Sequence, residues 1–238
     1  MKTIEIKNAW QGESDCENCS IRSSALFAEL NEEDFSKIHL PIDDLSFDAY
    51  AEIYQQGDKA GSLYTLRNGY IKILHINSDG SERIVRIVLP GNLFGMEALL
   101  GDAYEHSAYA LTNVQLCRIP KNIITTLGEE SPRLHRQIVK KWGEALLQSE
   151  SWFSEINTGR IEVRLARFFL KLAKESGSFA IAPLFKREDM GLMMDVKCET
   201  ISRALASMAE QGFISNITRL SVQIPNLELL RQFSNRGA

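Results

Sequence analysis

Residues 186–213, KREDMGLMMDVKCETISRALASMAEQGF, constrain the chain more than any other stretch, because their apolar positions describe two short helices joined by a tight turn. Met190, Gly191, Met194, Val196, Ile201, Ala204, Leu205 and Met208 are expected to face inward. Gly191 falls where crossing helices leave almost no room for a side chain, and Asp195 stands at the turn, where a left-handed residue is needed. Lys197, Glu199, Ser202 and Arg203 then face outward on the first turns of the second helix. A carboxylate accepts from cytosine N4, a guanidinium takes guanine O6 and N7 together, and a hydroxyl serves either role. Glu199, Ser202 and Arg203 are close enough along one helix to enter one groove. The competing reading is a solvent-exposed ion pair between Glu199 and Arg203, at i and i+4, supporting the helix by about 0.2–0.5 kcal/mol.

Charge is divided along the chain in a way that suits this device. The net charge is −4, yet residues 160–238 hold 12 Lys and Arg against 8 Asp and Glu, while residues 1–159 hold 15 against 23. The basic C-terminal part is the one expected to meet phosphates, and Lys197, Thr200 and Arg187 are its candidate phosphate contacts. No apolar run approaches a membrane span and the start, MKTIEIKNAWQGESDCENC, lacks a signal peptide's apolar core, so a cytoplasmic protein is expected. No phosphate loop, nucleophile elbow or paired metal-binding histidines on a helix is found, which argues against an enzyme.

Ahead of the motif, residues 1–14 read as irregular, and ALFAELNEEDFSKIHL as a helix with Asn31 as candidate N-cap. Residues 46–120 carry short β-type runs such as SLYTL, YIKILHI, RIVRIVL and NVQLCRI, separated by glycines at strand-plus-turn spacing, with Asp79-Gly80 as a hairpin turn. This predicts a sandwich or jelly-roll barrel. A short helix from Asn122 should stop at Ser131-Pro132, followed by a long helix to about Thr158. Ile138, Trp142, Ala145, Ser149, Trp152 and Ile156 step by four and three along it, a coiled-coil seam that predicts a homodimer. The alternative is that this stripe packs on the chain's own barrel. A two-fold pair of recognition helices roughly 34 Å apart would read a palindrome. EVRLARFFLKLAKE reads as an amphipathic helix, FISNITRLSVQIP as a closing hairpin and NLELLRQF as a last helix.

A barrel, a long helix and a C-terminal helix-turn-helix in this order resemble the CRP/FNR superfamily of bacterial transcription regulators, over roughly residues 15–232. ETISR at 199–203 is similar to the recognition motif of the FNR branch, and GSLYTLRNGYIKI, LPGNLFGMEAL and LCRIPKNIITTL to its barrel segments. The resemblance implies an α+β fold: an N-terminal cyclic-nucleotide-binding-type β jelly roll, a long dimerisation helix and a C-terminal winged helix-turn-helix. The expected division is an N-terminal cysteine-containing segment at 1–30, a sensor barrel at 31–131, the helix at 132–159 and the DNA-binding domain at 160–238. It further implies that Glu199, Ser202 and Arg203 read TTGAT-type half-sites, that RNA polymerase is a partner, and that oxygen, nitric oxide or redox state sets activity.

Cyclic-AMP-binding members carry an Arg-Ser pair in their phosphate cassette; here the stretch is Glu105-His106-Ser107, so cyclic AMP is not the expected ligand. Oxygen-sensing FNR members hold a [4Fe–4S] cluster on three N-terminal cysteines and one in the barrel. Cys16 and Cys19 match the C-x2-C pair and Cys117 the barrel cysteine, while the third N-terminal position is Ala25. A cluster therefore needs a non-cysteine fourth ligand such as Asp15, another nearby carboxylate or water, or is of a different type, and the three cysteines could instead bind another metal. Two other readings stay open: a Cys16–Cys19 dithiol switch, and plain reduced thiols in a regulator without a cofactor. Cys198, beside Glu199 at the start of the recognition helix, is either a thiol of lowered pKa whose oxidation obstructs the groove, or a small residue touching a thymine methyl or sugar. A regulator gated by a small molecule or haem is the remaining alternative, although His39, His75, His106 and His135 show no ligand-like spacing.

Overall fold

The computed structural model describes residues 5–8, 26 and 43–235. Cys16, Cys19, Ala25, His39 and all of the expected helix after Ala25 except Leu26 lie outside the described residues. The chain forms two compact units, one ending at Leu147 and the other beginning at Gln148.

In the first unit, two antiparallel sheets make a jelly-roll barrel. Strands β1 (Glu5–Asn8), β2 (Asp43–Phe47), β4 (Ser62–Asn68), β7 (Leu93–Phe94) and β9 (Val114–Pro120) form one, in the order β1-β2-β9-β4-β7. Strands β3 (Glu52–Tyr54), β5 (Ile71–Ile76), β6 (Glu82–Val88) and β8 (Ser107–Ala110) form the other, in the order β3-β8-β5-β6. The start of the chain is thus less irregular than its sequence suggests, since Glu5–Asn8 pairs with Ser46–Asp43. The Asp79-Gly80 turn closes the β5–β6 hairpin: Gly80 N–H donates to Asn77 O at 2.9 Å, and Asp79 Oδ1 accepts from the Ser81 N–H and hydroxyl. Leu63, Leu66, Ile71, Val88, Leu116 and Ile119 fill the interior, together with a stack of Tyr54, Tyr64, Phe94 and Tyr104 in which Tyr54 and Tyr104 are 3.9 Å apart.

Helix α1 (Lys121–Glu130) ends where Ser131 and Pro132 start α2 (Pro132–Ile156). The Ser131 hydroxyl accepts from Leu134 N–H at 3.3 Å, an N-cap, and proline at the first helical position loses no bond. The expected seam on α2 needs a correction. Ile138 and Ala145 are buried in the barrel core with Trp142 packed beside them, Trp152 and Ile156 are buried in the second unit, where Trp152 meets Phe168 edge-on at 5.9 Å, and Ser149 is half-buried. A stripe covered by its own chain is not open to a partner. The exposed apolar stripe is Val139 (54%), Leu146 (60%) and Phe153 (72%), a heptad repeat one position over from Ile138, Ala145 and Trp152, with Leu147 beside it.

The second unit contains α3 (Ile161–Leu172), a sheet of β10 (Lys174–Ser176), β11 (Phe179–Pro183) and β12 (Ser221–Ile224), and helices α4 (Arg187–Met194), α5 (Cys198–Glu210) and α6 (Leu227–Asn235). The apolar face of α3 supplies Val163, Leu165, Ala166, Phe168, Phe169 and Leu172 to its core. Phe168 touches Trp152, Phe169 and Phe185 edge-on.

Candidate nucleic-acid interface

The α4–α5 pair is the predicted helix-turn-helix. Met190, Gly191 and Met194 of α4 are buried against Ile201, Ala204, Leu205 and Met208 of α5, while Val196 is half-buried. A Cβ on Gly191 would lie 2.6 Å from the Val196 carbonyl oxygen, so only glycine lets the turn close. Asp195 takes the left-handed conformation with φ 51° and ψ 48°, and Val196 N–H donates back to Gly191 O at 3.1 Å.

This turn leaves Lys197, Glu199, Ser202 and Arg203 exposed together at the start of α5, with Thr200 half-buried. Ser202 Oγ donates to Cys198 O at 3.1 Å, which fixes its rotamer and leaves the oxygen able to accept. Among the described residues no ion pair joins Glu199 to Arg203, so the guanidinium remains available to a partner, while the exposed Glu199 carboxylate also meets the Cys198 thiol. Arg187 opens α4 and is half-buried; burial lowers its pKa, with Glu188 opposing. Sequence reasoning missed Arg219. It is exposed at the tip of the wing, where Thr218 Oγ1 accepts from the Leu220 and Ser221 amides and Ser215 bridges to Gln223. A lone arginine between two short β-type runs was the available signal.

Cys198 departs from expectation. Its thiol pKa is raised, chiefly by a hydrogen bond with the Glu199 side chain, so proximity to Lys197 and a helix start does not make it a thiolate. The lowered pKa behind the redox-switch expectation is therefore corrected.

Cys117 is on β9, in register with Asp44 of β2 on one side and Thr65 of β4 on the other. Its sulfur is 3.4 Å from Asp44 Oδ1, whose other oxygen accepts from Arg67 at 2.6 Å. Thr65 is buried, and its hydroxyl has no hydrogen-bond partner among the described residues. Thiol and carboxylate side by side suit a metal ion, but no set of three or more His, Cys, Asp or Glu side chains among the described residues could hold one.

At the position of the phosphate cassette, His106 lies 5.4 Å from His75, and burial followed by His75 lowers its pKa. Ser107 Oγ accepts from Gln56 N–H at 2.9 Å. Deeper in the barrel, the Tyr54 hydroxyl and Arg86 Nε are buried without partners among the described residues, although Arg86 Nη2 donates to Leu93 O at 3.0 Å. Burial raises the pKa of Tyr54 and of Glu97 and lowers that of Arg86.

Comparison with known proteins agrees with this geometry. Residues 45–131 match the cyclic nucleotide-binding domain and residues 163–233 the Crp-like helix-turn-helix domain. The chain is 28% identical to the fumarate and nitrate reduction regulatory protein of Vibrio cholerae, over 84% of this chain and 82% of that protein. It is 25% identical to the transcriptional activator protein anr of Pseudomonas aeruginosa, over 90% and 89%. Its fold is similar to that of FixK2 from Bradyrhizobium japonicum, with a TM-score of 0.71 at 22% identity over 81% of this chain and 97% of that one. Among the described residues no helix is long and apolar enough to cross a membrane. A jelly-roll domain of this family, the long helix and a Crp-like helix-turn-helix follow one another in a single chain, which belongs to the CRP/FNR superfamily of transcription regulators.

Proposed function

We propose that the chain acts in the cytoplasm as a homodimer that binds an inverted repeat of TTGAT-type half-sites in double-stranded DNA, reading bases through Glu199, Ser202 and Arg203. The observation that carries this reading is the exposure of these three side chains at the start of α5, with no ion pair to Arg203 among the described residues. Lys197, Thr200, Arg187 and Arg219 contact phosphates, and RNA polymerase is the second macromolecular partner. The two copies meet along Val139, Leu146 and Phe153, whose apolar surface is exposed among the described residues. The test is fluorescence anisotropy on the palindromic duplex and on duplexes mutated at each half-site position. Arg203→Ala should lose discrimination at one base pair, and unchanged binding to every duplex would remove the assignment.

The relatives regulate fumarate and nitrate reduction or anaerobic responses by name, and the signal proposed here is oxygen, nitric oxide or redox state. Cys16, Cys19 and Cys117 would hold an Fe–S cluster, with Asp44, whose Oδ1 is 3.4 Å from the Cys117 sulfur, as a carboxylate beside it. When bound there, such a cluster would supply oxygen-labile redox chemistry. Iron and acid-labile sulfide in protein purified without oxygen, measured before and after air exposure, test it; a colourless, metal-free protein would overturn it.

A second reading is a small-molecule gate in the barrel, favoured by the buried Arg86 Nε and Tyr54 hydroxyl, which have no hydrogen-bond partner among the described residues. Two buried donors suit a small organic anion better than cyclic AMP, because the cassette offers His106 instead of arginine and Ser107 is already engaged by Gln56. Thermal shifts with carboxylate compounds, lost in Arg86→Leu, would support it.

A further inference from the structure

Recognition of two half-sites needs each recognition helix held at a fixed angle to the dimer helix. The hydrogen bonds of the second unit identify the side chains that hold it. A helix C terminus exposes unpaired carbonyls and the negative end of the helix dipole, both of which attract a cation. Three such ends meet side chains of α3. Arg164 Nε donates at 2.5 Å to the carbonyl of Ile156, the last residue of α2, and its Nη2 donates at 3.3 Å to Asn157 Oδ1. The same Nη2 donates to the carbonyl of Met194, the last residue of α4. One turn on, Arg167 Nη1 donates to the carbonyls of Glu155 and Thr158, each at 3.0 Å, and its Nε and Nη2 donate to Ser234 O near the end of α6, at 3.2 and 3.1 Å. Lys171 bonds Ser151 Oγ at 2.6 Å and pairs with Glu155 at 3.0 Å.

Of these three cations, Arg164 alone reaches the helix-turn-helix. Met194 immediately precedes the left-handed Asp195, so its carbonyl marks the point from which α5 departs. A guanidinium is a flat, rigid fork, and one that spans the ends of α2 and α4 fixes both the distance and the angle between them. Lysine, a single flexible point charge, cannot span both.

We propose that Arg164 is the positioning residue that orients the recognition helix relative to the C-terminal end of α2 and thereby sets the half-site separation that the protein accepts. This rests on the reading of the chain as a dimer on an inverted repeat. Base contacts and separation are then controlled by different residues: α5 chooses the bases, and the Arg164 bridge chooses the spacer.

The experiment uses the full chain and a series of duplexes carrying the inverted repeat with its natural spacer and with spacers shorter or longer by about one or two base pairs, plus a single half-site. Wild-type protein should prefer one spacer by about tenfold or more, the scale of a charge-assisted hydrogen bond. Arg164→Lys and Arg164→Gln should compress that preference to about threefold or less. The order of preference among half-site bases should stay as in wild type. Lys171→Ala, which loosens α3 from α2 without touching α4, should lower Tm and leave spacer preference intact. Arg164→Lys retains the charge and so decides the matter if Arg164→Gln does not fold. Wild-type spacer discrimination in folded Arg164→Lys would overturn the proposal, as would equal loosening by Lys171→Ala. Wild-type protein that binds the single half-site as tightly as the repeat would instead overturn the dimer reading, and this proposal with it.

Discussion

The recognition helix and the barrel interior both carry polar side chains beyond what their folds require, and they hold them in opposite ways. On α5, Glu199, Ser202 and Arg203 face solvent, where water satisfies them until DNA arrives. In the barrel, Arg86, Glu97 and Tyr54 lie largely or wholly inside, where an unmade hydrogen bond costs about 1–3 kcal/mol. Exposed groups waiting for a macromolecule cost the free protein almost nothing. Buried groups waiting for a ligand draw on the stability of the domain that carries them, so the barrel is expected to be the more adjustable unit and the helix-turn-helix the more rigid.

The largest effect that sharpens this contrast comes from the second unit's own core. Phe168→Ala removes a fully buried ring in contact with three other aromatics and should cost about 3–5 kcal/mol. In urea denaturation followed by separate probes in each unit, it should shift the C-terminal transition and spare the barrel. A single transition moving as a whole would break the contrast. Gly191→Ala should follow at about 1–3 kcal/mol, because its Cβ meets backbone rather than a yielding side chain, and it should also abolish specific binding.

Arg203→Ala should leave Tm unchanged and cost about 1–3 kcal/mol of binding, concentrated at one base pair. Lys197→Ala should weaken all sequences alike and reduce the salt slope by about 1, as measured by anisotropy across a salt series.

The smallest effect belongs to the barrel. Burial and His75 lower the His106 pKa, so below about pH 6.5 the unfolded chain takes a proton that the folded protein resists. The stability linked to His106 is therefore intact above that pH and is lost as pH falls through it toward the depressed value. His106→Gln should flatten the fall in Tm between about pH 6.5 and pH 5. An unchanged slope would assign the acid sensitivity elsewhere.

The helix-turn-helix was legible because all its parts lie within 28 residues and obey one helical period: Gly191, Asp195 and the inward methionines and leucine each announce their place. The seam on α2 was harder. An apolar stripe looks the same whether it meets a partner or its own chain, and one residue over from the four-three stripe the sequence carries a second, seven-spaced one, Val139, Leu146 and Phe153. Only burial separates them, giving Ile138, Ala145 and Trp152 to the chain itself and leaving Val139, Leu146 and Phe153 outside. Cys198 misled for a related reason: position beside a lysine and a helix start suggested a thiolate, while the direction of the Glu199 side chain decides otherwise.

By itself, the sequence determined the order of the parts, the turn that places the recognition helix and the residue types that face DNA, because each follows from local periodicity and backbone sterics. The tertiary structure alone decided that Arg164 joins the ends of two helices 38 residues apart, Ile156 and Met194, that Asp44 stands beside Cys117, and that His75 meets His106. These pairings join positions distant in the chain through strand register and helix packing, which no local pattern encodes.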